Sequence, residues 1–262
     1  MKHLFTPILV KDQPDFTPPA DQSAYYLVTS NGLFLCRRHE LFSSCVAARQ
    51  WPRELAPQKE QVELHLPPLP RPLVERIVGF FARIRELHGS EAAVLLYWDL
   101  KKKCYEVVVP PQTAILERGW KGHLHPTGVR YETPVHASHA SPDLVLAGDV
   151  HSHVDSAAYA SHTDVDDEEF RTGLHIVVGR LQKEPPDVYA AMVVDGRRFD
   201  VHPDLVFAGY TARDLAIPGG WIDLVEVEVQ DRWTEPPMAD GTPGVSLADG
   251  QSSREDSEGG AA

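Results

Sequence analysis

The clearest hydrophobic pattern in the chain lies between residues 73 and 87, in the segment LVERIVGFFARIREL. Apolar side chains recur there every three or four positions, and charged side chains fill the positions between them. This spacing places the apolar residues on one face of an α-helix. The segment HGSE then ends the pattern. The sequence therefore predicts an amphipathic helix whose buried face consists of Leu73, Ile77, Phe80, Phe81, Ile84 and Leu87.

Most other apolar runs are short and rich in β-branched and aromatic residues, which is typical of strands. Residues 24–38 form two such runs around Ser-Asn-Gly, a hairpin signal that gives Tyr25, Tyr26 and Phe34 a core role. Strands are also predicted in AAVLLYWDL, CYEVVVPP, GVRYETP, DLVLAGDVHSHV, LHIVVGRL, DVYAAMVV, RRFDVHP and GWIDLVEVEV. The segment TDVDDEEFR predicts a short helix with Ser161 or Thr163 as its N-cap and solvated acidic residues at its start. The predicted fold class is α/β of the α+β type, a mixed β-sheet flanked by helices.

The region before the long helix gives weaker patterns. The segment HELFSSCVAARQW, residues 39–51, predicts a short helix, and residues 52–72 predict a strand that runs into a proline-rich stretch. That stretch predicts a domain boundary, with an N-terminal extension at 1–66 and a main domain at 67–232. The composition of 233–262, rich in Pro, Gly, Ser and Asp, predicts a disordered tail.

Charge and cysteine content narrow the class of protein. The chain has 25 Lys and Arg against 38 Asp and Glu, so its net charge of −13 argues against a nucleic-acid or anionic-membrane partner. No apolar run approaches the roughly 18 residues of a membrane helix, and the apolar start is too short for a signal peptide. Cys36, Cys45 and Cys104 form no C-x-x-C pair, which predicts reduced thiols. We therefore expect a cytoplasmic protein.

Polar residues with metal-binding chemistry follow the predicted strand DLVLAGDV, in the segment HSHVDSAAYASHTD at 151–164. Alternate residues of a strand point to the same face, so His151 and His153 project side by side. Asp164, at the start of the predicted helix, can return its carboxylate to the same point. Two imidazoles and one carboxylate can hold zinc and leave a position for water, whose pKa then falls towards roughly 7.

An H-x-H pair alone is a weak signal, and a solvated strand end is the alternative interpretation. Metallo-β-lactamases carry such a pair but need a histidine where this chain has Ser156. Amidohydrolases and PHP-type enzymes carry the pair near the N-terminus, on their first strand. Other histidines suggest less: those of HLHP at 123–126 and HASH at 136–139 are expected in a loop, His162 in solvent and His175 in the core.

The full spacing matches a known signature. His151, His153, Ser161 and Asp164 fit, without a gap, the pattern H-x-H, seven residues, Ser, two residues, Asp of the JAMM metalloproteases of the JAB/MPN family. That family also has a glutamate at the head of its first core strand, and HGSEAAVLLYW resembles this segment with Glu91 in that place. The resemblance covers residues 70–205. The chain departs from it at Val154, where the family often has proline, and in the strand after Glu91, which lacks the usual glycines.

The resemblance implies a JAB/MPN-like fold and a zinc metalloprotease. His151, His153 and Asp164 would hold one Zn²⁺ per chain, Glu91 would act as general base, and Ser161 would donate a hydrogen bond to the oxyanion. The implied substrate is an amide bond at the C-terminus of a ubiquitin-like protein or its conjugate.

A narrower resemblance concerns the segment ahead of this core. The N-terminal extension followed by a JAMM core is similar to the protein A family of the bacterial PRTRC (ParB-related, ThiF-related) cassette, which implies a ThiF-like adenylating protein as a further partner. Two alternatives stay open from the residues alone: a non-catalytic interaction module with the same fold, and a small-molecule hydrolase on the same core.

Overall fold

The computed structural model describes residues 6–53, 55–131 and 143–231. The chain divides into two compact units, Met1–Gln61 and Val62–Ala262, so the division falls five residues before the predicted boundary. The predicted disordered tail at 233–262 lies outside the described residues, as does HASH at 136–139. No helix in the described ranges is both long enough and apolar enough to span a bilayer.

The first unit contains a four-stranded sheet. Its strands, in spatial as well as chain order, are β1 Ile8–Val10, β2 Ala24–Thr29, β3 Gly32–Arg38 and β4 Ser43–Ala47. The predicted hairpin at 24–38 is confirmed, with β2 and β3 antiparallel from Ala24↔Arg37 to Thr29↔Gly32. The buried residues of the sheet are Tyr25, Leu27 and Cys36, and Phe34 packs against them. The predicted core role is wrong for Tyr26, which is half-buried because it points to the opposite face of β2 from its neighbours Tyr25 and Leu27.

Two predictions before the long helix are wrong. Residues 39–51 form no helix, because His39 and Phe42 exchange two backbone hydrogen bonds in a tight turn and Ser43–Ala47 then pairs with β3. Pairing along the free edge of β3 satisfies more backbone groups than one isolated helical turn would. In the described part of 52–72 no residue belongs to a strand. Leu64 and Leu66 pack against the main core, Leu69 forms an isolated bridge with Phe207, and the long helix already begins at Arg71.

The second unit is built on a six-stranded mixed sheet. Its strands are β5 Ala93–Asp99, β6 Cys104–Val108, β9 Leu144–Ser152, β10 Gly173–Gly179, β11 Asp187–Val194 and β12 Arg197–Asp200. Their order is β12-β11-β10-β9-β5-β6, with β9 and β10 parallel and the other pairs antiparallel. β9 and its neighbours β5 and β10 therefore occupy the centre of the sheet.

The predicted long helix is confirmed as α1, Arg71–His88. Gly89 ends it in the left-handed conformation and donates its N–H to the carbonyl oxygen of Arg85. Phe80, Phe81 and Ile84 on its inner face are fully buried in the main core, together with side chains of β5, β9 and β10. The helix and the central strands thus share one apolar core, as the 3.6-residue period indicated. The prediction is wrong for Leu87, which lies in the last turn of the helix and is 44% exposed.

A three-stranded sheet completes the second unit. It consists of β13 Val225–Asp231, β7 Gln112–Arg118 and β8 Leu124–Tyr131, in that order. The short helices are α2 His162–Glu168, α3 Pro203–Val206 and α4 Gly219–Ile222, with a single 3₁₀ turn at Trp120–Gly122. β7 was not predicted, because its inward positions include Gln112 and Ala114, which hide the apolar alternation. The fold is mixed α+β, as predicted.

Candidate metal centre

The end of β9 and the residue after it bring the two histidines of HSH to one face of the central sheet, with the N–H of His153 still bonded to the carbonyl oxygen of Val178 in β10. Within the ladders His151 lies beside Ala93 of β5 and Val177 of β10, so both neighbouring strands hold it. Ser152 points the other way, where its Oγ accepts a hydrogen bond from the N–H of Ala92 at 3.1 Å. His151 and His153 are buried, each with about one-twentieth of its surface exposed, which suits metal ligands better than a solvated strand end.

Close backbone packing holds this part of β9 against β10. Gly148, three residues before the first histidine, has a φ of +154°, and a Cβ built on it would lie 1.8 Å from the carbonyl oxygen of Leu174. No side chain fits into that space. The absence of a side chain at Gly148 therefore allows the approach of the two strands that sets the position of the histidine pair.

The third candidate ligand, Asp164, comes from the first turn of α2. Ser161 is the N-cap of this helix, as predicted, and its Oγ accepts a hydrogen bond from the N–H of Asp164 at 3.2 Å. In return, Oδ2 of Asp164 accepts from the N–H of Ser161 at 2.7 Å. This reciprocal capping box fixes the carboxylate at the start of the helix. The Ser-x-x-Asp spacing in the sequence thus has a structural reason that is separate from any catalytic one.

The three side chains converge on one point. Nε2 of His151 lies 3.3 Å from Nε2 of His153, which in turn lies 3.3 Å from Oδ2 of Asp164. Oδ1 of Asp164 is 3.4 Å from Nε2 of His151. Donors bonded to zinc in a tetrahedron are separated by about 3.3–3.4 Å, given bonds of roughly 2.0–2.1 Å. The donor types and their separations therefore fit a zinc ion bound by two imidazoles and a carboxylate.

The cluster already favours a positive charge. Burial by itself would lower the pKa of His151, but the carboxylates of Asp149 and Asp164 raise it to about 10. Burial would likewise raise the pKa of Asp164, but the imidazoles of His151 and His153 hold it well below its usual range. The carboxylates that stabilise an added proton would equally stabilise a cation, so a metal ion competes with protons for these donors.

Glu91 lies in the same cleft, directly before β5. Burial raises the pKa of its carboxyl group, and the neighbouring Asp164 carboxylate raises it further, whereas His153 and His151 lower it. These influences place Glu91 within electrostatic reach of all three ligands. A carboxylate whose pKa is raised towards neutrality is a better proton acceptor and donor than an exposed one.

The cleft around these groups has a volume of about 330 Å³. The residues that line it include 126–131 of β8 together with Ser161, Thr163 and Arg171. The ring of Tyr159 meets that of His153 edge to face, with 5.1 Å between centroids. β8 is an edge strand of its sheet, bonded to β7 alone among the described strands, so the cleft is bordered by a free strand edge.

A second buried group of metal-binding residue types was not predicted. Asp149, Glu168 and His175 lie behind the first cluster, with Nδ1 of His175 at 3.0 Å from Oδ2 of Asp149. Nη2 of Arg171 lies 2.5 Å from the Asp149 carboxylate, and Nη2 of Arg198 lies 2.5 Å from that of Glu168. Two guanidinium groups thus balance two carboxylates, and the group is an ion-pair network rather than an open metal site.

The other sequence predictions have mixed outcomes. His162 is exposed and pairs with Asp166 at 3.5 Å, and His175 is buried, as expected for both. The expectation that the acids of α2 are solvated is wrong for Glu168, which is only 3% exposed. The sequence contained one indication that Glu168 is buried: it lies four residues after Asp164, and residues four apart share a helix face. The expectation that HLHP at 123–126 lies in a loop is wrong, because from Leu124 onward the segment pairs with β7 as the start of β8. Neither His123 nor His125 belongs to a metal-binding group among the described residues.

No family model and no curated protein sequence matches the chain. Among solved structures, one similar chain is a protein of Desulfitobacterium hafniense, with 12% identity and a TM-score of 0.33, covering 61% of this chain and 92% of its own length. Another is a protein of Salinibacter ruber, with 18% identity and a TM-score of 0.30, covering 57% of this chain and 94% of its own length. Similarities of this size do not assign a function.

Proposed function

We propose that the chain is a zinc-dependent hydrolase of the JAMM type, which cleaves an amide bond at the C-terminus of a ubiquitin-like protein or its conjugate. The observation that supports this most directly is the convergence of Nε2 of His151, Nε2 of His153 and the Asp164 carboxylate at 3.3–3.4 Å from one another, in a cleft that also contains Glu91. His151, His153 and Asp164 are the residues that would hold the ion.

Glu91 is the proton acceptor and donor in this proposal. A zinc ion in the site supplies Lewis acidity and makes water a usable nucleophile at neutral pH. Glu91 takes the proton from the attacking water and later delivers it to the leaving amine. Burial supports this role, because it raises the pKa of the carboxyl group and thereby makes the acid form accessible within the cycle.

In this proposal Ser161 donates a hydrogen bond to the oxyanion. In the N-cap its Oγ acts as the acceptor for the N–H of Asp164, which leaves its O–H to be directed into the cleft. A fixed donor of this kind stabilises negative charge that develops only in the transition state. The same hydroxyl thus holds the metal-binding helix and serves the reaction.

The shape of the cleft supports an extended substrate. An extended peptide can pair with an exposed strand edge, and β8 offers one along the wall of the cleft. The flexible C-terminal tail of a ubiquitin-like protein has this form. In the PRTRC setting that we propose for the chain, a ThiF-like adenylating protein and a small ubiquitin-like protein are its partners.

The test begins with the zinc content of the purified chain, measured by elemental analysis beside His153→Ala and His162→Ala. We expect about one zinc per chain, lost in His153→Ala because a buried ligand is removed. The exposed His162 lies on the metal-binding helix without facing the cluster, so His162→Ala should keep the metal. Equal zinc in both variants would show that the ligand set is wrong.

Activity is tested next, with the zinc-loaded chain and a ubiquitin-like protein that carries a fluorogenic amide at its C-terminus. Release of the fluorophore in proportion to zinc loading supports the proposal. A zinc-loaded chain that binds the ubiquitin-like protein without cleaving the amide would instead establish the non-catalytic interaction module.

A further inference from the structure

Two cysteines face each other across the last two strands of the first unit. The register of β3 and β4 places Cys36 directly opposite Cys45. Both are free thiols. Eight residues separate them along the chain, so the sequence alone gave no reason to pair them, and the tight turn at 39–42 brings them together.

The hydrogen-bond pattern of the hairpin shows whether Cys36 and Cys45 form a hydrogen-bonded or a non-hydrogen-bonded pair. His39 and Phe42 exchange both backbone hydrogen bonds, and the N–H of Ala48 donates to the carbonyl oxygen of Leu33. Opposed pairs in an antiparallel ladder alternate between bonded and non-bonded. Cys36 and Cys45 fall on a non-hydrogen-bonded position, where the Cα atoms are about 4.5 Å apart and the side chains closest. That separation lies within the range that a disulfide spans.

The two thiols differ in accessibility. Cys36 is only 2% exposed and belongs to the small core of the sheet, whereas Cys45 is exposed. Burial, and after it the adjacent Cys45 thiol, raises the pKa of Cys36 to about 11. Cys36 therefore stays protonated at neutral pH and meets no dissolved oxidant. An oxidant in solution reaches Cys45 first.

We propose that Cys36 and Cys45 form a redox-responsive pair that closes to a cross-strand disulfide when the chain meets a peroxide. The Cys45 thiolate attacks the peroxide, an S–O bond forms as the O–O bond breaks, and the hydroxide released takes up a proton to become water. The Cys36 sulfur then attacks the sulfenic sulfur of Cys45, the S–S bond forms as the S–O bond breaks, and the departing hydroxide takes the Cys36 proton. Two thiols and one hydrogen peroxide thus give one disulfide and two waters.

The bond would change the attachment of β4. Four of the five side chains of this strand are exposed, and its ladder to β3 is what holds it. A covalent link to Cys36 ties β4 to the core of the sheet. The disulfide would therefore fix the edge strand β4, which its ladder to β3 holds in the reduced chain.

The test treats the reduced full-length chain with hydrogen peroxide and maps its thiols after trypsin digestion. Arg37 and Arg38 lie between the two cysteines, so trypsin separates their peptides unless a disulfide joins them. We expect a joined pair of peptides, lighter than the two reduced peptides by two hydrogen atoms and separated again by dithiothreitol. Amide hydrogen exchange in β4 should slow on oxidation.

Two variants complete the test. Cys104→Ser should form the bond as the natural chain does, because Cys104 lies in β6 of the other unit. Cys45→Ser should leave Cys36 as a thiol that resists alkylation while the chain is folded. Oxidation of Cys45 to a sulfinic acid, or its linkage to Cys104, with Cys36 still a thiol would overturn the proposal.

Discussion

Glu91 and Asp164 are carboxylates of the same cleft, yet their surroundings shift their pKa values in opposite directions. Burial dominates at Glu91 and raises its pKa, whereas two imidazoles hold that of Asp164 well below its usual range. Two carboxylates whose pKa values are shifted apart can take different roles, one as metal ligand and the other as proton carrier. Both carboxylates are near the same two imidazoles, so the difference lies in the balance: burial outweighs them at Glu91, and direct hydrogen bonds to them outweigh burial at Asp164.

Replacing Glu91 tests this division. Glu91→Gln should keep zinc, since the three ligands are untouched, and lose roughly 10²–10⁴-fold in turnover, since a positioned base contributes that much. Steady-state hydrolysis of the ubiquitin-like amide, with zinc content measured on the same samples, gives both numbers. Glu86→Gln, on the exposed side of α1, is the matched control. Unchanged turnover in Glu91→Gln would remove Glu91 from the mechanism.

A second prediction at the scale of single residues concerns Asp99 and the pH dependence of the free energy of unfolding. Its Oδ1 accepts hydrogen bonds from the N–H groups of Lys102 and Lys101 in the turn after β5, and these bonds lower its pKa. Because the folded pKa lies below the unfolded one, the stabilisation is present above about pH 3.9 and disappears as the pH falls through the folded value. Asp99→Asn should therefore lower the free energy of unfolding at pH 7 more than at pH 2. An equal loss at both values in urea titrations would contradict this account.

At the level of elements, α2 connects the candidate metal ligands to the buried ion-pair network. Asp164 and Glu168 lie four residues apart on one face of this helix. Asp164 turns towards the histidines, and Glu168 pairs with Arg198 of β12 and lies 3.6 Å from Nδ1 of His175 in β10. The helix is thus held at its start by the Ser161 cap and at its end by buried charges.

Glu168→Gln should weaken the ion pairs that hold the C-terminal end of α2. We expect zinc affinity to fall roughly 10-fold, the lower part of the range for residues that orient metal ligands from outside. Chelator competition measures the affinity directly. Asp166→Asn, on the exposed side of the same helix, should leave it unchanged. Equal affinities in both variants would show that Glu168 stabilises the fold without positioning Asp164.

The sequence predicted those elements whose apolar pattern is local. The helix at 73–87 and the strand that carries His151 were found because their periodicity lies within one segment. β4 was missed because pairing with β3, and not its own composition, makes it a strand. The partner of Glu168 was missed for a related reason, since Arg198 lies 30 residues away and no local pattern joins the two. The candidate ligands could be predicted because they lie within the short segment 151–164, where the end of one strand, one loop and one capping box bring His151, His153 and Asp164 together.

On the scale of the whole molecule, the buried apolar residues in the described part of the chain form two sets. The small set around Tyr25 belongs to the first unit, while α1, the six-stranded sheet and all five predicted site residues belong to the second. A chain that begins at Val62 should therefore fold and bind about one zinc. Circular dichroism and elemental analysis of residues 62–262 test this. Loss of either folding or zinc would show that the second unit depends on the first.

The close packing at Gly148 limits which amino acids can stand at this position. Every amino acid other than glycine carries a Cβ, and at this position that atom would occupy the space of the Leu174 carbonyl oxygen. Every missense change of the codon therefore separates the two strands beside the histidine pair, whatever the chemistry of the new side chain. In a library that samples all substitutions along the chain, this codon should tolerate none, although its residue contributes no atom to the cleft.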